Sequence, residues 1–166
     1  MKNCGTQCVL HLNTVTVTNN VGTTAPFNAT AQIFGPAFFL WPGGYVVTTR
    51  TDYTYAVKDG TFTGTTTVAP KPGDVLILWS TGFGPTNPAA PVGVQIPPNS
   101  YPTANNVTVT IGGVSATMYG AALASGFAAL FQVALQVPQL PDGDYPLIAT
   151  VNGVSSPATT LITVQH

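Results

Sequence analysis

Residues 147–164 read LIATVNGVSSPATTLITV, and residues 14–33 read TVTVTNNVGTTAPFNATAQI. Aligned on their centres, both stretches run from a β-branched strand through Asn, a Val/Gly pair, Thr or Ser and an Ala/Pro pair into a second strand. Recurrence of one strand–turn–strand unit indicates tandem modules of a single architecture. Only the second copy has a whole module's worth of sequence before it, so we expect the first to be the closing hairpin of a truncated preceding module.

The composition predicts an all-β chain. Charged residues make up only 5% of the 166 residues, and the chain has no Glu. The residues that usually cover exposed helices are therefore nearly missing. Thr, Val, Gly and Pro, which are abundant here, are typical of short strands and turns.

Charge and hydropathy exclude some classes of function. A net charge of −1 without clustered Lys or Arg argues against nucleic-acid binding. No apolar run reaches the roughly 18 residues that span a bilayer. The N-terminus, MKNCGTQCVLHLN, lacks the sustained apolar stretch of a signal peptide. The uncharged surface nevertheless suggests an extracellular protein, and an internal fragment of a larger exported chain would reconcile these observations.

The region after residue 72 has the pattern of a β-sandwich. DVLILWS at 74–80 is a nearly continuous apolar run, as expected of a strand buried on both faces. LFQVALQV at 130–137 alternates, as expected of a strand with one buried face. Only 121–128 leans towards helix. The number and spacing of these short strands match a β-sandwich, at about 90 residues.

The segment before residue 72 is expected to connect the two modules. FGPAFFLWPGGY at 34–45 is dense in aromatics and broken by Pro and Gly, so it predicts an irregular crossing. Residues 45–57 and 61–68 alternate and predict a hairpin around Lys58-Asp59-Gly60. The predicted domains are therefore a partial module at 1–34, an aromatic connecting segment and hairpin at 35–71, and a sandwich at 72–166.

Three stretches resemble the IPT/TIG class of immunoglobulin-like (Ig-like) domains: PGDVLILWSTGFGPT at 72–86, VTVTIGGVSATM at 107–118 and FQVALQVPQLPDGDYPLIATVNGVSSP at 131–157. More narrowly, the chain is similar to the uncharacterised C-terminal domain of exported Acidobacterial (Solibacter-type) proteins, which also carry a segment like Pro36-Ala37-Phe38-Phe39. The likeness covers residues 14–165. It implies an Ig-like β-sandwich, extracellular or at the cell surface, in a longer secreted bacterial chain with neighbouring Ig-like modules. It implies no catalytic residues.

Asp142-Gly143-Asp144 is the one motif with the chemistry of a metal site. Two carboxylates around a Gly can turn towards a hard cation such as Ca²⁺, which prefers oxygen ligands. They are too few alone, so backbone carbonyls or Asp74 would have to complete the site. The alternative is a PDGDYP turn whose Asp side chains cap local N–H groups.

The sequence offers little for nucleophilic catalysis. A Ser-His-Asp set needs a positioned His, and the chain has only His11 and the final residue, His166. The remaining enzymatic hypothesis is a small ester or lactone hydrolase in which a bound divalent ion polarises the carbonyl or activates water. Its candidate catalytic residues are Asp142, Asp144, Asp74, Asp52 and His11, with Asp142 and Asp144 holding the metal.

The aromatic residues suggest a third function. Trp41, Tyr53, Tyr55 and Phe62 lie on or beside the predicted hairpin. If they are exposed in a row, they would stack on sugar rings and make a carbohydrate-binding module. If they are buried, they cover the sandwich, which is the commoner use of aromatic side chains.

The N-terminal region raises two further questions. Cys4 and Cys8 form a local disulfide or stay as unpaired thiols, because a metal site would need two more ligands and only His11 is near. The hairpin at 14–33 is marginal alone, since two isolated strands rarely persist in water. We expect it to pack on residues 34–45 or on the same hairpin of a second molecule, which would give a homodimer.

The leading interpretation of the sequence is a non-catalytic extracellular Ig-like module that serves as a spacer, cell-surface or interaction domain. The metal-assisted hydrolase and the carbohydrate-binding module remain as alternatives.

Overall fold

The computed structural model describes residues 11–166, with side chains from Asn13 onward. The chain divides into two compact units, one up to Phe34 and one from Gly35 to His166. Apart from a short 3-10 turn at Pro42–Gly44, the regular structure of the described residues consists of β-strands, which confirms the predicted all-β class.

The first unit contains the expected hairpin. Strand β1 (His11–Val15) pairs antiparallel with β2 (Phe27–Ala31), and Val15 lies opposite Phe27. The turn is stabilised by Asn19, whose side-chain oxygen accepts the N–H groups of Val21 and Gly22. An Asn side chain mimics a backbone acceptor in this way, which is why Asn is favoured in turns.

The second unit holds two antiparallel sheets, each with five strands. In the first sheet the order is β3-β5-β9-β8, and β4 also pairs with β5. Its strands are β3 (Ala37–Phe38), β4 (Thr48–Arg50), β5 (Val75–Thr81), β8 (Thr117–Leu123) and β9 (Phe131–Gln136).

In the second sheet the order is β11-β10-β6-β7, and β12 pairs with the first residues of β10. The later residues of β10 pair with β6, so that Leu147 lies opposite Ile111 and Val151 opposite Val107. Its strands are β6 (Val107–Ile111), β7 (Val114–Ser115), β10 (Gly143–Val151), β11 (Val154–Ser155) and β12 (Leu161–Val164).

Each sheet of the second unit buries one face, as in a sandwich-like β fold. In β5, Leu76 and Leu78 are fully buried while Ile77 is half-buried, so the expectation of burial on both faces is wrong. An antiparallel sheet commonly has one face in the core and one towards loops and solvent. The fully buried aliphatic residues include Leu76, Leu78, Val133, Leu135, Val109, Ile111, Leu147 and Val151.

Two other predictions are wrong, one for the segment before residue 72 and one within the sandwich. The predicted second arm at 61–68 contains no strand, and Tyr53 has a φ of +65°, so it does not alternate with Tyr55 along an extended arm. The stretch at 121–128 is not helical, because its first residues continue β8 as far as Leu123.

The hairpin repeat noticed in the sequence has a structural counterpart. In the first unit, Val17 donates its N–H to the hydroxyl of Thr24 at 3.2 Å and accepts the Thr24 N–H at 3.0 Å. In the second unit, Ala149 donates to the hydroxyl of Ser156 at 3.0 Å and accepts the Ser156 N–H at 2.8 Å. A side-chain hydroxyl, from Thr24 in one hairpin and Ser156 in the other, therefore accepts the equivalent backbone N–H.

A second pair of hydroxyls repeats beside the first. The side chains of Thr18 and Thr23 are hydrogen-bonded at 2.8 Å, and those of Thr150 and Ser155 at 2.9 Å. The two hairpins thus carry the same local hydrogen bonds at equivalent positions.

Candidate functional site

Asp144 lies at the centre of a polar cluster, which we call the Asp144 cluster. It lies on β10 opposite Thr163 on β12, and its Oδ1 accepts the Thr163 hydroxyl at 2.5 Å. Its Oδ2 accepts the hydroxyl of Tyr45 at 3.0 Å and the Nζ of Lys58 at 3.2 Å. The sheet supplies the Asp and the Thr, whereas the loops after β3 and β4 supply the Tyr and the Lys.

The contacts in this cluster favour the charged forms of both ionisable groups. The hydrogen bond from Thr163, with those from Tyr45 and Lys58, lowers the pKa of Asp144. The hydrogen bond and the charge of Asp144 raise the pKa of Lys58. An ion pair with these hydrogen bonds stabilises the junction of β10 and β12, although its side chains are 33% and 49% exposed and so partly screened by water.

Asp142 contacts a different group. Its Oδ1 lies 2.6 Å from Nδ1 of His166 and accepts the His166 backbone N–H at 2.9 Å. The side-chain hydrogen bond with His166 lowers the pKa of the Asp142 carboxyl. Asp142 and Asp144 line one shallow hollow of about 300 Å³, but each carboxylate has its own partners.

The predicted metal site gains no further ligand in the structure. Among the side chains described, from Asn13 to His166, no group of three His, Cys, Asp or Glu lies close enough to hold a metal ion. Asp74, the third ligand considered, accepts a hydrogen bond from Arg50 at 3.3 Å instead. Calcium binding by Asp142 and Asp144 stays a prediction.

The other sequence-predicted catalytic residues do not converge. Asp52 accepts both the N–H and the hydroxyl of Thr54, which shapes a turn and lowers the Asp52 pKa. Asp74 belongs to a different group of contacts, around Arg50. The side chain of His11, like Cys4 and Cys8, lies outside the described part of the chain.

Arg50, at the end of β4, organises a hollow of the second unit. Its Nη1 donates to the carbonyl oxygen of Tyr55 at 3.2 Å. Its Nη2 lies within 3.3 Å of the carbonyl oxygens of Val68 and Ala69 and of Asp74 Oδ2. One guanidinium therefore holds together three segments of the chain that lie outside the β-strands.

The Arg50 contacts frame a cavity of about 750 Å³, which we call the Tyr53–Tyr55 hollow. The side chains of Tyr53 and Tyr55 are 65% and 48% exposed at this hollow. Among the described residues, the Lys71 ammonium makes no ion pair. The lining residues are Arg50, Tyr53, Thr54, Tyr55, Thr66, Thr67, Val68, Lys71 and Asp74.

The predicted aromatic row is divided by the fold. Trp41, Tyr55 and Phe62 pack on one another, with ring centroids 4.9–5.7 Å apart and Trp41 edge-on to both partners. Trp41 and Phe62 are half-buried and spend part of their ring surface on these contacts. Tyr53 lies at the hollow, and Tyr55 contributes to both groups.

Comparison with protein families, with characterised proteins and with solved structures found no match. Within the described residues, no helix is long and apolar enough to cross a bilayer.

Sequence reasoning missed Lys58 and Tyr45 as partners of Asp144. They lie 86 and 99 residues from it along the chain, so no local pattern could indicate the contact. The role of Arg50 was missed because its partners Val68, Ala69 and Asp74 lie 18–24 residues further along the chain, beyond the reach of a local pattern.

Proposed function

We propose that the chain is a non-catalytic Ig-like module that serves as a spacer, cell-surface or interaction domain of a larger secreted bacterial protein. The observation that carries the proposal is the repeated hairpin, whose hydroxyl hydrogen bonds recur at Val17 and Ala149. Repetition of a folding unit is typical of modular chains, in which neighbouring modules share one architecture.

The use of the carboxylates supports a non-catalytic role. Asp52, Asp74 and Asp144 each accept hydrogen bonds that stabilise a turn, an arginine or a strand junction. The hydrogen bonds lower the pKa values of Asp52 and Asp144, whereas a general base that acts near neutral pH requires a raised carboxyl pKa. The Ig-like assignment itself is supported by the two antiparallel sheets and by the motifs at 72–86 and 131–157.

A turnover assay tests the non-catalytic role. Ester and lactone substrates are incubated with the full chain in the presence of calcium or of a chelator, and we expect no turnover in either. Calcium-dependent hydrolysis that is lost in Asp142→Asn combined with Asp144→Asn would replace this proposal with the metal-assisted hydrolase. Hydrolysis that survives the double change would also overturn it and would place the chemistry at Asp52, Asp74 or His11.

A second candidate function, carbohydrate binding, is favoured by the Tyr53–Tyr55 hollow. Exposed tyrosine rings offer apolar faces for sugar rings, and the hydroxyl of Thr66 and the ammonium of Lys71 offer hydrogen-bond donors along the same hollow. Among the four aromatic candidates, the two tyrosines are therefore the residues that we assign to sugar contact.

Calorimetric titration with a panel of soluble polysaccharides tests this candidate. Tyr53→Ala should weaken binding of any polysaccharide by about tenfold, the upper end of the 0.5–1.5 kcal/mol that an aromatic contact contributes. Tyr119→Ala is the matched control, because Tyr119 is 58% exposed but lies on β8 outside the hollow. Equal losses in both variants, or no binding to the wild-type chain, would rule out the hollow as a sugar site.

A further inference from the structure

Tyr53 has a backbone conformation that is unfavourable for its side chain. The Tyr53 N–H donates to the carbonyl oxygen of Arg50 at 3.0 Å, and the Arg50 N–H donates to the carbonyl oxygen of Thr54 at 2.9 Å. These bonds close a tight turn at the end of β4, and Tyr53 has a φ of +65° in it. The left-handed region suits Gly or Asn and is an outlier for a bulky residue. The turn alone therefore does not explain why this position carries a tyrosine.

Packing does not explain the Tyr53 ring either. Tyr53 is 65% exposed and lines the hollow. Tyr55 lines the same hollow, but its ring is held by Trp41 and Phe62, at centroid distances of 5.7 and 5.6 Å. Strained backbone is common at binding sites, where it holds a group in position before the ligand arrives. The turn thus holds one tyrosine at the hollow, and ring packing holds the other.

The charged groups that line the hollow leave one ammonium in excess. Arg50 and Asp74 form an ion pair at 3.3 Å. Lys71 also lines the hollow, and none of the ion pairs found between Asn13 and His166 involves it. The hollow therefore has two cationic groups and one carboxylate, in a chain whose net charge is −1. An excess positive charge in a cleft attracts an anionic ligand.

A turn keeps Lys71 beside the hollow. The Asp74 N–H donates to the Lys71 carbonyl oxygen at 3.0 Å, and Asp74 Oδ2 accepts the Lys71 N–H at 3.2 Å. Gly73, inside this turn, has a φ of +88°, which glycine adopts without strain. The backbone that carries the ammonium is therefore held through both its N–H and its C=O.

Two neighbouring carboxylates do not take part in the hollow. Asp52 accepts the N–H of Thr54, and Asp59 accepts the N–H of Thr67. Neither acid is among the residues that line the hollow. The group that a charged ligand in the hollow would contact is therefore the Lys71 ammonium.

We propose that the Tyr53–Tyr55 hollow binds an acidic polysaccharide, whose sugar rings stack on the two tyrosines while a uronate carboxylate pairs with Lys71. A uronic acid carries an apolar ring face and a carboxylate on one sugar, which are the two features that the hollow can contact. The volume of about 750 Å³ lies in the range of ligand sites. This inference rests on the carbohydrate-binding candidate proposed above and adds the charge of the ligand.

Paired polymers test the charge of the ligand. The full chain is titrated calorimetrically, with a chelator present, against polygalacturonate and alginate and against the carboxyl-reduced form of each, which keeps the linkage and lacks the charge. The acidic form should bind about fivefold more tightly, the upper end of what an exposed ion pair contributes. Equal binding of acidic and reduced polymers would overturn this inference and leave the carbohydrate candidate standing. No binding of any polymer would overturn both.

Lys71→Gln tests the assigned ammonium. It should abolish the preference for the acidic polymers and leave binding of the reduced forms unchanged. Asn106→Asp is the matched control, because it lowers the net charge by the same unit at an exposed position before β6 and outside the hollow. The preference should persist in this control. Equal effects of the two variants would show that only overall charge matters and would overturn the inference.

Tyr53→Asn separates the role of the ring from that of the turn. Because Asn tolerates the left-handed region, the melting temperature should equal or exceed that of the wild-type chain. Acidic and reduced polymers should both bind about tenfold more weakly, since a stacking contact is lost. Unchanged binding in this folded variant would overturn the assignment of Tyr53 to the site.

Discussion

The two hairpins of this chain have the same local hydrogen bonds and opposite burial. Val17 and Ala149 each bond to a hydroxyl seven residues further along, yet Val17 is 60% exposed and Ala149 is 0% exposed. The turn and the first hydrogen bonds are therefore determined by local sequence, while burial depends on the strands that surround the hairpin. The same contact should consequently contribute very different amounts to stability in the two places.

The largest expected difference is between the aliphatic side chains at equivalent positions. Leu147→Ala should lower the free energy of unfolding by about 2–5 kcal/mol, because it opens a cavity in the core. Val15→Ala should change it by less than about 0.5 kcal/mol in dilute solution, as is usual for exposed positions. Urea unfolding followed by far-ultraviolet circular dichroism, which reports both units, measures the two variants under the same conditions.

If Val15→Ala lowered the free energy of unfolding as much as Leu147→Ala does, the proposed difference between the two hairpins would be wrong. It would mean that the N-terminal hairpin is stabilised by its side chains almost as strongly as the C-terminal one.

The next difference concerns the two hydroxyls that close the hairpins. Ser156→Ala leaves the buried N–H of Ala149 without its acceptor, which should cost about 1–3 kcal/mol. In Thr24→Val the freed N–H of Val17 is solvent-exposed and finds water, so the cost should stay below about 0.5 kcal/mol. The same unfolding measurement applies.

Hydrogen exchange at the two amides provides the control for this prediction. The Ala149 amide should exchange much faster in Ser156→Ala than in the wild-type chain, while the Val17 amide should exchange readily even before Thr24 is changed. Slow exchange of the Val17 amide in the wild-type chain would contradict the assumption that its hydrogen bond is open to solvent.

The hairpins and the alternating strands were predictable because their signals are local. Asn19 and the β-branched residues after residue 13 indicate a hairpin without reference to the rest of the chain. The alternation at 130–137 likewise identified β9, with Val133 and Leu135 buried. Each of these patterns is a short-range consequence of strand geometry.

The predictions failed where one sequence pattern is compatible with two different structures. An uninterrupted apolar run such as DVLILWS does not indicate which side chains face the core, and the buried ones are Leu76 and Leu78 rather than Val75 and Ile77. The Thr-rich stretch at 61–68 alternates like a strand, but its backbone is bonded by side chains instead of a ladder. Asp59 accepts the N–H of Thr67, whose hydroxyl donates to the carbonyl of Lys58.

The polar site could not be predicted from the sequence for a different reason. The sequence indicates the Asp142-Gly143-Asp144 motif as a candidate site, but two of the partners of Asp144 come from distant loops. Lys58 and Tyr45 reach Asp144 only because the first sheet and the second belong to one unit. No spacing rule connects residues that meet through a whole fold.

The smallest expected effect concerns a position where the two hairpins differ in chemistry. Asp144 lies opposite Thr163 in the C-terminal hairpin, whereas Leu12 lies opposite Thr30 in the N-terminal one. Hydrogen bonding from Thr163, then from Tyr45 and Lys58, lowers the pKa of Asp144 in the folded state. The stabilisation is therefore complete above the ordinary Asp pKa of about 3.9 and is lost as the pH falls through the lower, folded-state value. Asp144→Asn should cost roughly 1 kcal/mol at neutral pH after allowance for solvent screening, and should flatten the fall in stability towards acid.

Asp142→Asn is the control for this last prediction. The Asp142 pKa is also lowered, through His166, so its contribution has the same sign and is lost over the same acidic range. However, its side chain is 58% exposed and its partner is the final residue of the chain, so the change should leave the unfolding midpoint at neutral pH almost unaltered. Melting temperatures from pH 2 to pH 7 distinguish the two carboxylates. If Asp142→Asn lowers the melting temperature as much as Asp144→Asn does, the Asp144 cluster does not specifically stabilise the pairing of β10 with β12. The polar difference between the two hairpins would then make no contribution to stability.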